Sequence, residues 1–172
     1  MAEADYSLYN SKDYPLKDIC ALRISIVCSE WNSEIIDMLE ASCVKELKDA
    51  GVDASSIKIH KVPGSYELPM GAKLVLGSSE KQDAVICLGC VIQGQTKHDD
   101  YINHTIARSI NQISLVSGIP VIFGVLTTNT REQAIARADG SHGSKGQESA
   151  IVALKMISLK ESLAAKTGKI SF

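Results

Sequence analysis

Residues 83–92, Asp83-Ala84-Val85-Ile86-Cys87-Leu88-Gly89-Cys90-Val91-Ile92, form a nearly uninterrupted apolar run. A strand with one face in water alternates polar and apolar side chains. A run without alternation has both faces covered, as in a parallel sheet sandwiched between helices. The rest of the chain supplies the other parts. Residues 22–28, 57–62 and 120–126 read as strands, rich in Ile and Val. Ile35, Ile36, Leu39, Cys43, Val44 and Leu47 recur at helical spacing between a capping Asn32 and Gly51. Further helices are expected over 67–76, 97–116, 130–138 and 145–164. Thr130…Gln133 and Ser144…Gln147 have the spacing of capping boxes. The order β-α-β-α-β-α-β-α-α predicts an α/β fold of three layers, α/β/α, with a four-stranded parallel sheet. Ligands on such sheets bind beyond the carboxyl ends of the strands.

A length of 172 residues suits one domain. Residues 1–18 read as a loosely structured N-terminal arm and 19–172 as a single α/β domain. Hydrophobic residues at 45% and charged residues at 22% exclude general disorder. A net charge of −2 without a basic run argues against nucleic acid or an anionic membrane as partner. No apolar stretch reaches the roughly 20 residues of a membrane span, and residues 1–12 lack an apolar signal core. Five cysteines leave one unpaired in any disulfide scheme. Reduced, mostly buried thiols fit an expected cytoplasmic location.

Three short segments carry candidate chemistry. Gly94-Gln95-Thr96-Lys97-His98 follows the buried strand and opens a helix. Thr96 and Asp99 have capping-box spacing, which makes Thr96 the expected N-cap and the helix start a place for an anion such as phosphate. His98, in the first turn, is a candidate for proton transfer. An ordinary helix start with a solvated His is at least as good a reading from this segment alone. Pro63-Gly64-Ser65-Tyr66-Glu67-Leu68-Pro69 offers close backbone approach, a hydroxyl and a carboxylate, suited to a polyhydroxyl chain or simply to a turn before a helix. Arg137 ends one helix and Lys145 opens the next; Arg137 suits bidentate phosphate recognition, or the two are a charged surface pair flanking a loop. Trp31, the single Trp, stands at a strand end, where it either stacks on a heterocycle or anchors the first helix. His60 is expected to face solvent, and His104 to be a surface or structural residue. Cys87 and Cys90 have redox-like spacing but lie inside a strand, which favours a structural role.

Taken together, P-G-S-Y-E-L-P, then G-C-V-I-Q-G-Q-T-K-H, then P-V-I-F-G-V-L-T-T-N-T-R-E-Q-A-I-A-R-A, then K-G resemble the lumazine synthase family, over about residues 22–160. The resemblance implies a flavodoxin-like architecture. It also implies condensation of a 5-amino-6-ribitylamino-uracil with 3,4-dihydroxy-2-butanone 4-phosphate, without cofactor or metal. It places Trp31, beside Asn32, over the pyrimidine, and Ser65, Tyr66 and Glu67 along the ribityl chain. Val91 and Ile92 line the heterocycle pocket. Gln95, Thr96 and Arg137 meet the phosphate, and His98 is the catalytic proton-transfer residue. Phe123, Arg137 and Lys145 match positions that a neighbouring subunit contributes. Family members are pentamers, some assembling twelve pentamers into a shell, and riboflavin synthase is an expected partner of some. The N-terminal arm is expected to join a neighbour's sheet.

The chain departs from the family pattern at Asp99, Asp139, Ser144, Gln147 and Thr105. Asp99 and Asp139 put negative charge near the expected phosphate, which motivates a second reading, a lumazine- or flavin-binding or shell-forming protein without activity. A third reading is an unrelated flavodoxin-like redox protein using Cys87 and Cys90.

Overall fold

The computed structural model describes residues 14–167. Four strands, β1 (Ile24–Ser29), β2 (Ile57–Val62), β3 (Ala84–Ile92) and β4 (Val121–Thr128), form one sheet. All pairs are parallel and the spatial order is β2-β1-β3-β4. Five helices connect and cover it: α1 (Ser33–Asp49), α2 (Leu68–Leu76), α3 (His98–Ser117), α4 (Arg131–Ala138) and α5 (Lys145–Thr167). This is the expected three-layer, flavodoxin-like arrangement.

Strand periodicity sorts the core into two layers. Ile24, Ile26 and Cys28 of β1, with Ile86, Leu88 and Cys90 of β3, pack under α1, α4 and α5. Val27, Val85 and Cys87 point the other way, under Leu68 and Ala72 of α2 and Ile106 and Ile110 of α3. Every residue of β1 and the first seven of β3 are buried, as the apolar run required. Each fully buried Leu or Ile contributes about 1.5–3 kcal/mol relative to exposure. Cys87 and Cys90 thus lie on opposite faces as free thiols. Burial pushes both thiols up, Cys90 to about 11, which removes the basis for a dithiol redox centre.

Close approach at glycines sets how the layers touch. A Cβ on Gly146, the second residue of α5, would sit 2.1 Å from the Leu39 carbonyl oxygen and 2.2 Å from Ser42 Oγ. The start of α5 therefore rests on the α1 backbone. Gly51 ends α1 with φ +107°, a conformation that costs other residues steric strain.

The helix starts agree with expectation at one point and differ at three. Thr130 and Gln133 form the full capping box of α4. Thr96 is not the N-cap of α3. The loop bends through residues 95–97, the N-cap position falls on Lys97, and no side chain caps it. With the helix displaced by one residue, Thr96 and Asp99 lose capping register. Asn32 does precede α1, but in left-handed conformation (φ 62°), and its side chain does not cap the helix. Ser144 Oγ accepts from Gln147 N at 3.4 Å, yet the Gln147 amide turns to Glu46, so only half of that box forms. Of the arm expected over residues 1–18, Tyr14 and Leu16 pack against the core; residues 1–13, on which its expected pairing with a neighbour also falls, lie outside the described residues.

Candidate active site

The chain leaves β1 for β2 on one side and returns to β3 on the other, so the order reverses between β1 and β3. Connections diverge at such a point and leave a crevice. β1 pairs with β3 only as far as Cys28 opposite Leu88, while β3 runs on to Ile92. Cys90 therefore has no β1 neighbour for its main chain. Two side chains replace the missing strand: Cys90 N–H donates to Ser65 Oγ at 3.2 Å, and Asn32 Nδ2 donates to the Cys90 carbonyl at 3.1 Å. Asn32 and Ser65 are thus committed to the frame of the site, Ser65 at 7% exposure. That role for them was invisible in sequence.

Above this gap opens a cleft of about 480 Å³. Trp31, Asn32, Ser65 and Tyr66 line one side, and Val91, Ile92, Thr96 and His98 the other. Segments that follow three different strands thereby meet in one cavity. Trp31 is 73% exposed and Tyr66 58%. Trp31 is therefore not an anchor of α1; it presents an open aromatic face at the cleft. The short turn Ser65–Glu67 before α2 aims Tyr66 and Glu67 toward α3. Glu67 lines an adjoining recess with Tyr66, His98 and Tyr101. His98 borders both spaces because it opens α3. Gln95 stands exposed on the loop just before Thr96. His60 and His104 are exposed and line neither space, as expected.

The remaining candidates collect elsewhere. Phe123 and Lys145 line a separate recess of about 260 Å³ beside β4, the sheet strand that pairs with β3 alone. Arg137, at the end of α4, donates from Nη2 to Glu148 Oε1 at 2.8 Å and from Nη1 to the His142 carbonyl at 2.9 Å. Lys145 Nζ lies 3.4 Å from the other Glu148 oxygen. Glu148 is the residue that sequence reasoning passed over. Its one visible signal was the Lys145…Glu148 spacing of three along a helix. The cleft and the cation cluster do not share lining residues within one chain.

The five departures have structural explanations or positions. Asp139 turns into its own loop and accepts from Ser141 N at 2.8 Å. That backbone contact, followed by the Ser141 hydroxyl, holds its carboxyl below the usual range. Gln147 Nε2 donates to the buried Glu46 at 2.8 Å, so this position ties α5 to α1. Ser144 Oγ donates to Ser42 Oγ at 2.8 Å. Thr105 lines the recess beside Glu67. Asp99, freed from capping, lines the main cleft.

A protein-family model described as 6,7-dimethyl-8-ribityllumazine synthase matches residues 21–161. The chain is 44% identical over 157 residues to the protein named 6,7-dimethyl-8-ribityllumazine synthase in Cytophaga hutchinsonii, covering 91% of this chain and 98% of the relative. It is 43% identical to the same-named protein of Porphyromonas gingivalis, over 88% of this chain and 96% of the relative. The Bacteroides fragilis protein of that name is 44% identical, over 83% of this chain and 99% of its own length.

Proposed function

The chain belongs to the 6,7-dimethyl-8-ribityllumazine synthase family, and on that premise we propose that it is a transferase of riboflavin biosynthesis. It condenses 5-amino-6-ribitylaminouracil with 3,4-dihydroxy-2-butanone 4-phosphate to give the lumazine, phosphate and water. The observation that carries this reading is the cleft at the strand-order reversal, where Trp31, Val91, Ile92 and His98 converge.

The pyrimidine enters with one face on Trp31 and its edge along Val91 and Ile92. The ribityl chain extends past Ser65 and Tyr66 toward Glu67. The 5-amino group is the nucleophile and attacks the butanone carbonyl; loss of water gives an imine. Phosphate is then eliminated to leave an enol that tautomerises to a ketone, and the ribityl-bearing nitrogen attacks that ketone and closes the ring with loss of a second water. Positioning two substrates together supplies much of the acceleration. The steps between require protons to be moved, and His98, at the border of the cleft and its recess, is the group placed to move them.

Phosphate binding needs cations; no Lys or Arg is among the described residues that line the cleft, and Arg137 and Lys145 lie at the β4 edge. A second copy resolves this: the β4 edge of one subunit, carrying Phe123, Arg137 and Lys145, meets the open cleft of the next beside Gln95 and Thr96. Such head-to-tail contact closes into a ring, the pentamer proposed here, alone or as part of a larger shell. Large exposed apolar side chains, among them Met70, Leu74, Leu115 and Val116, offer surface for subunit contacts. Riboflavin synthase, which uses the product, is a proposed partner of the assembly. No helix among the described residues is long and apolar enough to cross a membrane, and a cytoplasmic location is proposed.

Mixing the protein with both substrates and following lumazine absorbance and fluorescence tests the reading. Acceleration over the uncatalysed reaction is expected, with His98→Ala lowering kcat about 100-fold while substrate binding survives. An unchanged kcat in His98→Ala would remove that residue from the mechanism, and no acceleration by a well-folded oligomer would overturn the activity itself.

A further inference from the structure

Glu148 is 8% exposed. A carboxylate so placed needs partners, and each of its oxygens faces a different cation, Arg137 at 2.8 Å and Lys145 at 3.4 Å. The side chains of the two cations stay 29% and 27% exposed, whereas that of Glu148 is 10% exposed. The cations are thus reachable from outside and the anion lies behind them. Two positive charges against one negative leave the group with a net charge of +1.

We propose that Glu148 is a positioning residue and an internal competitor for phosphate. It holds Arg137 and Lys145 side by side, and it weakens their grip on phosphate enough for the product to leave. The inference rests on the reading that these two cations take the phosphate of the butanone substrate.

The geometry says which contact yields. Arg137 is held by Glu148 and by the His142 carbonyl. Lys145 has the longer contact and a flexible stem. An arriving phosphate draws Lys145 away from Glu148 Oε2 while Arg137 keeps its place. Glu148 stays with Arg137, its shorter contact, on a helix whose start is seated against the α1 backbone at Gly146. When phosphate is set free, the carboxylate recaptures Lys145. A phosphate is made in every turnover, so a cation pair without this counter-charge would retain its product.

The test is titration of inorganic phosphate into the assembled protein, with steady-state kinetics for each substrate, on the wild type, Glu148→Gln, Glu148→Asp and Arg137→Ala. Glu148→Gln keeps the size and an oxygen for Arg137 but removes the charge. It is expected to bind phosphate about tenfold more tightly, to lower KM for the butanone phosphate, and to lower kcat through slow release. KM for the pyrimidine should not move. Glu148→Asp retains the charge at a shorter reach and should fall between. A merely structural role would instead change stability and both KM values together, and that result overturns the proposal. Phosphate affinity unchanged or weakened in Glu148→Gln, with affinity lost in Arg137→Ala, would also overturn it while leaving the phosphate site intact. Phosphate affinity indifferent to Arg137→Ala would sink the phosphate-site reading and this inference with it.

Discussion

The cleft and the cation cluster satisfy their polar groups in opposite ways. In the cleft, Ser65 and Asn32 are spent on the Cys90 backbone, while Trp31, Tyr66 and His98 stand open toward the cavity. At the β4 edge the charges are paired within the chain, cation to carboxylate, before any ligand arrives. The cleft is a finished shape that waits to be filled. The cluster is a set of cations sharing one carboxylate, which a ligand must rearrange. The first arrangement favours selection by fit; the second makes binding depend on charge competition, hence on ionic strength.

The largest expected effect joins the two regions through α1. Gly146→Ala places a methyl into the Leu39 carbonyl and should cost about 3 kcal/mol or more, since backbone must move. Thermal unfolding measures this, and an unaltered midpoint would show that α5 does not rest on α1 as described. Arg137→Ala should raise KM for the butanone phosphate about 100-fold, the loss of a charged contact of about 3 kcal/mol, while the pyrimidine KM holds. Equal loss for both substrates would dissolve the division of labour between cleft and cluster. Co-assembling Arg137→Ala with His98→Ala sharpens it further. If one subunit's cluster serves the next subunit's cleft, random mixing restores roughly a quarter of wild-type activity; if each site is confined to one chain, mixing restores none.

Smaller effects separate frame from ligand contact. Ser65→Ala removes the acceptor for Cys90 N–H and should cost about 1–2 kcal/mol in denaturant unfolding. A loss in substrate affinity alone, without loss of stability, would return Ser65 to the ribityl chain. Cys28 tests the buried thiols. Desolvation, aided by Glu40, raises it from 9.0 to about 12. Its contribution to stability is full below pH 9 and is lost as pH rises toward 12, because the unfolded thiol ionises first. At pH 10 the wild type should already have lost about 1 kcal/mol from this residue. Cys28→Ala should show a flatter stability curve between pH 9 and 11, and parallel curves would refute it.

Where a feature depended on periodicity, it was legible. The run from Val85 to Ile92, the Ile35–Leu39–Cys43 stripe and the Thr130–Gln133 box all read correctly because each is decided by neighbours a few residues away. Thr96 and Asp99 had the right spacing and the wrong outcome. A bend in the loop moved the helix start by one residue, and nothing local in the segment fixed that bend. Glu148 was illegible for another reason. Its two cations come from different helices, and Arg137, eleven residues back, reaches it only once the loop before α5 has folded. Which side chains a strand end would enlist was hidden as well, since Ser65 and Asn32 depend on how far β1 falls short of β3.

That shortfall has a consequence for the ligand. Beyond Cys28 the sheet is unzipped along one seam, with β3 still laddered to β4 through Ile92. Main-chain groups alternate in direction along a strand, so after Cys90 the next pair facing the seam belongs to Ile92. A uracil ring carries N–H and C=O groups along its edge much as a peptide does. A uracil bound there would extend the ladder where β1 stopped. Occupancy of that kind should slow amide hydrogen exchange at Ile92 of β3, as an added strand would.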